Sequence, residues 1–284
     1  MTTTTATTPP TKRRKIRWRL FVLLVLCALF LYARFIEPNW VAVERVSLSL
    51  PHLPADFNGL RVVQLSDIHY PDSHNPQFFR GVVERVNRLK PDLIVLTGDY
   101  ISSGRDNIAP CAQMLGGLHA PLGVVAVLGN HDYWTDGREV TRALSANGIR
   151  ALRNASVALS RGNARLWIVG IDDAWKGFDD FATALHGIPA SEAKIVLLHE
   201  PDFAVTTARY PVDLQLSGHS HGGQVRLPGI GGLHYPPYSK IYPMGYYHVG
   251  ALQLYVNRGL GLIVPFRFDC RPEITLLTLQ RATP

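Results

Sequence analysis

Short runs of apolar, mostly β-branched residues recur along this chain, and most of them are separated by stretches with helical spacing. That alternation is what most narrows the fold. Arg61–Ser66 reads as a strand, and Asp92–Thr97 (DLIVLT) is a continuous apolar run of the kind expected when a strand is buried on both faces. Between them, Asn75 and Pro76 offer a helix cap and a first-turn proline. Phe79, Val82, Val83, Val86 and Leu89 then follow at helical spacing. Val124–Leu128, Arg165–Ile171, Lys194–Leu198 and Asp213–Leu216 continue the strands. Arg138–Ala146, Phe178–His186 and Asp202–Ala208 read as helices. The C-terminal part turns β-rich at Gln224–Leu227, Ala251–Val256 and Glu273–Leu279. The pattern predicts an α/β core of two packed sheets with helices outside.

Five of these strands end in residues with ligand chemistry. Asp67 and His69 follow the first, Asp99 the second, Asn130 and His131 the third, His199 the Lys194–Leu198 run, and His219 with His221 the Asp213–Leu216 run. The carboxyl ends of strands are where α/β sheets collect ligands. Glycines at 98, 129, 218, 222 and 223 mark these turns. Carboxylates, imidazoles and an amide without sulfur form a mixed oxygen and nitrogen set, which suits Mn, Fe, Co or Zn better than Ca or Mg. The supply is enough for two ions if one carboxylate bridges, and two such ions can clamp a phosphoryl group. Any one of these short motifs is commonly a mere turn; all five in this order are not a coincidence. His74 and His234 are further candidates to touch a substrate.

Three cysteines, Cys27, Cys111 and Cys270, carry no CxxC spacing and imply neither a disulfide framework nor a thiolate metal site. The net charge of +7 invites a nucleic-acid or anionic-membrane partner. Six of the basic residues, however, lie between Lys12 and Arg19. Without them the chain has 23 basic and 22 acidic residues, a near-neutral body. The basicity belongs to the tail and suits anionic lipid head groups; nucleic acid is not an expected ligand. Leu20–Tyr32 then runs apolar without interruption, with Trp18 and Tyr32 at its ends. The expected organisation is a disordered basic tail at 1–17, a membrane anchor helix at 18–36, a linker and first strand region at 37–59, and a catalytic domain at 60–284. The basic flank places the tail in the cytoplasm and the domain outside it.

The motifs Asp67-Ile68-His69, Gly98-Asp99, Gly129-Asn130-His131-Asp132, His199 and Gly218-His219-Ser220-His221 resemble the calcineurin-like metallophosphoesterase superfamily. The resemblance implies a four-layer α/β/β/α sandwich and a hydrolase with two divalent metal ions, manganese favoured. It also implies roles. Asp67, His69, Asp99 and His221 would hold the first metal. Asp99 as the bridge, with Asn130, His199 and His219, would hold the second. His131 would face the phosphate, with Asp132 orienting its imidazole. The second motif lacks the Asp-Arg pair that extends it in the superfamily's protein phosphatases. Residues Gly218–Pro228, Tyr255–Gly261 and Arg271–Ile274 look like the bacterial membrane-anchored branch. That branch is associated with phospholipid-like or envelope substrates, including UDP-2,3-diacylglucosamine in lipid A biosynthesis. Asn257 and Arg258 are candidates to reach a substrate phosphate, and the tyrosine-rich loop Pro228–Tyr247 to form a rim.

The leading expectation is therefore a phosphodiester or pyrophosphate hydrolase at the membrane, with membrane lipids as neighbours and no obligatory protein partner. The rivals are a broad phosphodiesterase or nuclease, and a silent metal-binding scaffold. A cytosolic nucleotide substrate and an exported domain pull in opposite directions.

Overall fold

The computed structural model describes residues 12–71 and 74–282. Of the tail expected to be disordered at 1–17, residues 1–11 lie outside them and 12–17 are helical instead. From Lys12 the chain is helical, so the basic block is the first part of helix α1 (Lys12–Leu31). Lysine and arginine are good helix formers, and the apolar run carries the same helix onward. A π turn at Tyr32–Ile36 and a 3₁₀ turn at Glu37–Asn39 end it. The whole segment Arg13–Asn39 is long and apolar enough to cross a membrane.

The rest alternates as expected: β1 (Ala42–Leu50), β2 (Leu60–Leu65), α2 (Pro76–Arg88), β3 (Leu93–Thr97), α3 (Ile108–Leu115), β4 (Val124–Val127), α4 (Asn130–Thr135), α5 (Gly137–Ala146), β5 (Ile149–Ala151), β6 (Ala155–Arg161), β7 (Ala164–Gly170), α6 (Phe181–Ala184), β8 (Ala193–Leu197), α7 (Ala204–Thr207) and β9 (Leu214–Ser217). A two-residue ribbon, β10 (Arg226–Leu227) with β11 (Gly231–Gly232), precedes β12 (Gly245–Val249), β13 (Leu252–Val256) and β14 (Glu273–Arg281). Helix α2 starts where the sequence places it. The Asn75 side chain accepts from the Phe78 amide at 2.9 Å, and Phe79, Val82, Val83 and Val86 are buried.

Two six-stranded sheets result, in the orders β1-β14-β2-β3-β4-β5 and β12-β13-β9-β8-β7-β6. The run β2-β3-β4-β5 is parallel, as is β13-β9-β8-β7. Side chains alternate across each strand. Val62, Val95 and Val127 meet Ile168, Ile195 and Leu216 between the sheets. Val63, Leu65, Ile94 and Leu96 turn outward to α2, α3 and α5. Val169, Val196, Leu254 and Val256 turn outward to α6 and α7 on the far side. This is the expected four-layer sandwich.

The segment 37–59, expected as linker and first strand region, supplies edge strand β1, paired in parallel with β14 over nine residues. The loop expected at Pro228–Tyr247 is broken by the ribbon and by β12. Its middle is pinned: the Asp202 carboxylate accepts the amides of Lys240, Ile241 and Tyr242 at 2.9–3.1 Å.

Candidate metal centre

The parallel strands β2, β3, β4, β8 and β9 end on one edge, and the polar groups of five loops converge there. The two sheets are tied together at this edge by Gln64 Nε2, which donates to Ser217 O at 2.9 Å, and by His199 Nδ1, 2.6 Å from Thr97 O. The turns are severe. Asp67, His69, Asp99, His219 and His221 all have φ between 50° and 70°, a left-handed conformation that costs a non-glycine residue about 1–3 kcal/mol and persists only where the surroundings enforce it. Close approach enforces glycine at two positions. A Cβ on Gly218 would fall 1.8 Å from Ser66 Oγ, and one on Gly129 would fall 2.3 Å from Asp99 Oδ1.

Two clusters form. In one, His69 Nε2 and His221 Nε2 lie 3.1 Å apart, and Asp67 Oδ1 is 3.3 Å from the latter. In the other, Asp99 Oδ2 is 3.1 Å from His199 Nε2, and His219 Nδ1 is 3.2 Å from His199 Nε2. Asp99 also approaches the first cluster, at 3.7 Å from His69 Nε2. It sits where a bridge would. Asn130 Oδ1 is buried and has no hydrogen-bond partner, an acceptor left for a cation.

Hydrogen bonds assign the tautomers. His219 Nε2 faces the Pro237 carbonyl at 2.8 Å and must donate, which leaves Nδ1 with its lone pair toward the cluster. His199 Nδ1 donates to Thr97 O, which leaves Nε2 toward Asp99. Burial pushes His69 and His219 down to about 3 and His221 well below the usual imidazole range. All three are held neutral, the form a metal needs. For His199, burial works against charge, but the facing Asp99 carboxylate wins and raises it well above the usual value. Burial would likewise raise Asp99, yet His199, with His131 and His69, keeps it well below the carboxylate range. In the metal-free protein, the His199 proton thus occupies the place of a cation. The donor chemistry, the orphaned Asn130 oxygen and the ring nitrogens turned toward the clusters all fit divalent metal.

One prediction follows at once. Metal can take the second cluster only by displacing that proton, so loading the metal-free protein near pH 7 is expected to release about one proton per chain. Affinity should rise with pH while the solution stays below the raised value of His199. Calorimetric titrations with Mn²⁺ in buffers of different ionisation enthalpy will measure the number; zero release would mean that His199 is neutral before metal arrives.

His131 is half-buried. Its Nδ1 is 3.3 Å from Ser102 O, and its ring stands edge-on to His69 at 4.7 Å and against Trp134 at 4.5 Å. By distance it joins a third group with His69 and Asp99.

Asp132 does not meet its imidazole, contrary to the sequence expectation. The Asp132 carboxylate is fully buried and accepts the amides of Asp99, Tyr100 and Gly129 at 2.9–3.0 Å, with Ile101 at 3.3 Å. Its backbone enters α4 directly after His131, and its side chain therefore points back under the turn. It staples the Asp99 loop to the Asn130 loop.

Asn257 and Arg258 also stand away from the cleft. Asn257 is buried, donating to Thr275 Oγ1 at 2.7 Å and accepting the Gly259 amide at 2.7 Å. Arg258 pairs with Glu273 at 2.6 Å and with Glu44. They brace the loop that packs behind Asp67. Arg267, which the motifs do not mark, completes that brace. Buried entirely, it donates to the carbonyls of Arg258, Gly259, Gly261 and Cys270. His74 is stacked on Phe78 at 3.9 Å and bonded to Pro38 O, away from the cleft, whereas His234 lines it. Trp134, Trp175, Ile263 and Val264 line it too; no polar motif announces them.

A buried histidine–carboxylate centre at the strand ends of a four-layer sandwich defines a metal-dependent phosphoesterase. Residues 60–223 match the family Calcineurin-like phosphoesterase, and the chain belongs to it. It is 39% identical over 254 residues to the metallophosphoesterase YkuE of Bacillus subtilis, covering 88% of this chain and 89% of that one. It is 31% identical to phosphodiesterase YaeI of Escherichia coli over 88% of this chain and 92% of that one. It is 30% identical to the UDP-2,3-diacylglucosamine pyrophosphatase LpxG of Chlamydia trachomatis, over 87% and 92%. The protein is a metallophosphoesterase that uses divalent metals and carries an N-terminal apolar helix.

Proposed function

We propose that the protein is a membrane-anchored, two-metal hydrolase of phosphodiester or pyrophosphate bonds in a lipid-linked substrate. The carrying observation is the apolar rim of the cleft and its junction with the anchor. Ile230, Leu233, Ile241 and Ile263 are 73%, 60%, 60% and 54% exposed on the loops around the cleft, an apolar border suited to a lipid chain. The anchor is docked against one of these loops, the one that carries Ile263. Arg267 N donates to Ala33 O at 3.0 Å, and the Glu37 carboxylate accepts the Asp269 and Cys270 amides. Phe30 packs on Phe266 with ring centroids 5.5 Å apart. A lipid tail leaving the cleft along Ile263 and Val264 would therefore remain beside the bilayer that holds the helix.

Asp67, His69, Asp99 and His221 would hold one metal; Asp99, Asn130, His199 and His219 the other, and manganese is the first choice. When bound, the two cations supply positive charge against a phosphoryl group and lower the pKa of a water molecule. The chain's own part is positional. Thr97 O and Pro237 O fix the rings of His199 and His219, and Asp132 holds two ligand loops together. His131 donates from Nδ1 to Ser102 O at 3.3 Å, and its other nitrogen would hydrogen-bond the phosphate or protonate the leaving oxygen. Trp134 and Trp175 line the cleft.

The likeness to LpxG makes UDP-2,3-diacylglucosamine the first compound to test; the likeness to YaeI favours, as second reading, a broader phosphodiesterase. The charge asymmetry of the anchor favours a domain outside the cytoplasm and so an envelope phosphoester. A panel on detergent-purified, Mn²⁺-loaded protein separates these readings: UDP-diacylglucosamine, glycerophosphodiesters, cyclic nucleotides, DNA and bis-p-nitrophenyl phosphate. Comparable turnover of all of them, lipid-linked or not, would sink the lipid reading.

A further inference from the structure

The end of the anchor contributes a side chain to a cavity beside the metal cleft. Its last helical turn, Tyr32–Ile36, is a π turn, a local widening often found at functional sites. Arg34 leaves this turn and lines a cavity with Ser102, His131 and Leu262–Pro265. His131, Ile263 and Val264 also line the metal cleft, so the two spaces are contiguous and share the catalytic imidazole.

Arg34 has no ion pair or hydrogen bond among the described residues. Its guanidinium lies 4.9 Å from the Phe35 ring centroid. Other arginines around the site are engaged: Arg105 with Asp136, Arg153 with Asp172, Arg258 with Glu273 and Glu44, and Arg267 with backbone carbonyls. No carboxylate lines the Arg34 cavity. An unpaired guanidinium facing a lining without carboxylates favours an anion. The planar fork of the guanidinium suits phosphate oxygens in particular.

We propose that Arg34 and this cavity form a second anion subsite. It holds a substrate phosphate next to the one under attack and selects esters with two adjacent phosphates. The proposal deepens the reading of a lipid-linked phosphoester hydrolase and rests on it for the position of the attacked phosphate. It also makes the anchor part of the active site. The competing role for Arg34 is that of a span-end arginine reaching lipid head groups.

The test is binding, not turnover. Full-length protein in lipid nanodiscs with Mn²⁺ is titrated calorimetrically with α,β-methylene-UDP and with UMP. The wild type is expected to prefer the two-phosphate ligand. Arg34→Gln should reduce that preference roughly tenfold, about one charge-assisted fork, and Arg34→Lys should restore part of it. An unchanged preference in Arg34→Gln, an equal loss for both ligands, or no preference in the wild type would overturn the subsite. Should the wild type cleave no lipid-linked pyrophosphate but lose its two-phosphate preference in Arg34→Gln, the lipid reading fails and the subsite stands.

Discussion

Asp99→Ala is expected to abolish turnover, by roughly 10⁴-fold or more in kcat/KM, about 5 kcal/mol of transition-state stabilisation. Metal content should fall from two ions to at most one. The reason is the position of this one carboxylate. Oδ2 faces His199 at 3.1 Å and His69 at 3.7 Å, so it is within reach of both clusters. Oδ1 meanwhile accepts the His131 amide at 2.9 Å, which fixes the loop that presents Asn130. Alanine removes both functions; Asp99→Asn separates them. The amide keeps an oxygen for His131 N but carries no charge against His199. The asparagine variant should therefore keep the wild-type circular dichroism spectrum and still lose metal and activity. It should also reduce the proton release on loading, because the carboxylate that faces the His199 ring is gone. Metal analysis by mass spectrometry, turnover of bis-p-nitrophenyl phosphate, circular dichroism and the calorimetric titration check these outcomes. Two retained ions in Asp99→Asn would remove Asp99 from the bridging position.

The strands and the ligand types were legible for local reasons. Asp92–Thr97 and Lys194–Leu198 are apolar throughout because both faces of a central parallel strand are covered. The ligands were legible because each follows such a strand at a short polar turn. What the sequence did not carry depends on groups distant along the chain. Asp132 looks like a partner for its neighbour His131, but its carboxylate satisfies the amides of residues 99–101, some thirty positions earlier. Asn257 and Arg258 look like exposed polar groups at a strand end, yet Thr275, Glu273 and Glu44 take them up from β14 and β1. Strand β1 is hard to read because its pattern is mixed: Val43, Arg45 and Ser47 are half-buried or exposed on an edge strand, so neither clean alternation nor a continuous apolar run appears. The left-handed turns at five ligands are invisible for a sharper reason. Aspartate and histidine do not advertise positive φ as glycine does, and the conformation is imposed by the packing around them. The docking of the anchor likewise rests on Arg267, Asp269 and Cys270, more than 230 residues beyond Glu37 for the last two.

His131→Ala should separate catalysis from metal binding. Removing a group that donates a proton or hydrogen bond in the transition state is expected to lower kcat about 10²–10⁴-fold. Both metal ions should remain, because Asp67 with His69 and His221, and Asp99 with His199 and His219, each form a donor set without it. The loop should survive as well. It is fixed through backbone contacts, His131 N to Asp99 and Gly129 N to Asp132, and alanine preserves them. The side chain itself gives up only the Ser102 contact and the ring packing against His69 and Trp134. Leaving-group dependence then discriminates between its two possible tasks. If His131 protonates the departing oxygen, the variant should be far weaker on alkyl phosphodiesters than on p-nitrophenyl esters, whose leaving group needs no proton. If it only hydrogen-bonds the phosphate, both substrate types should suffer alike. Loss of one metal equivalent in His131→Ala would make it a ligand, with His69 and Asp99 as its partners, and would end the catalytic assignment.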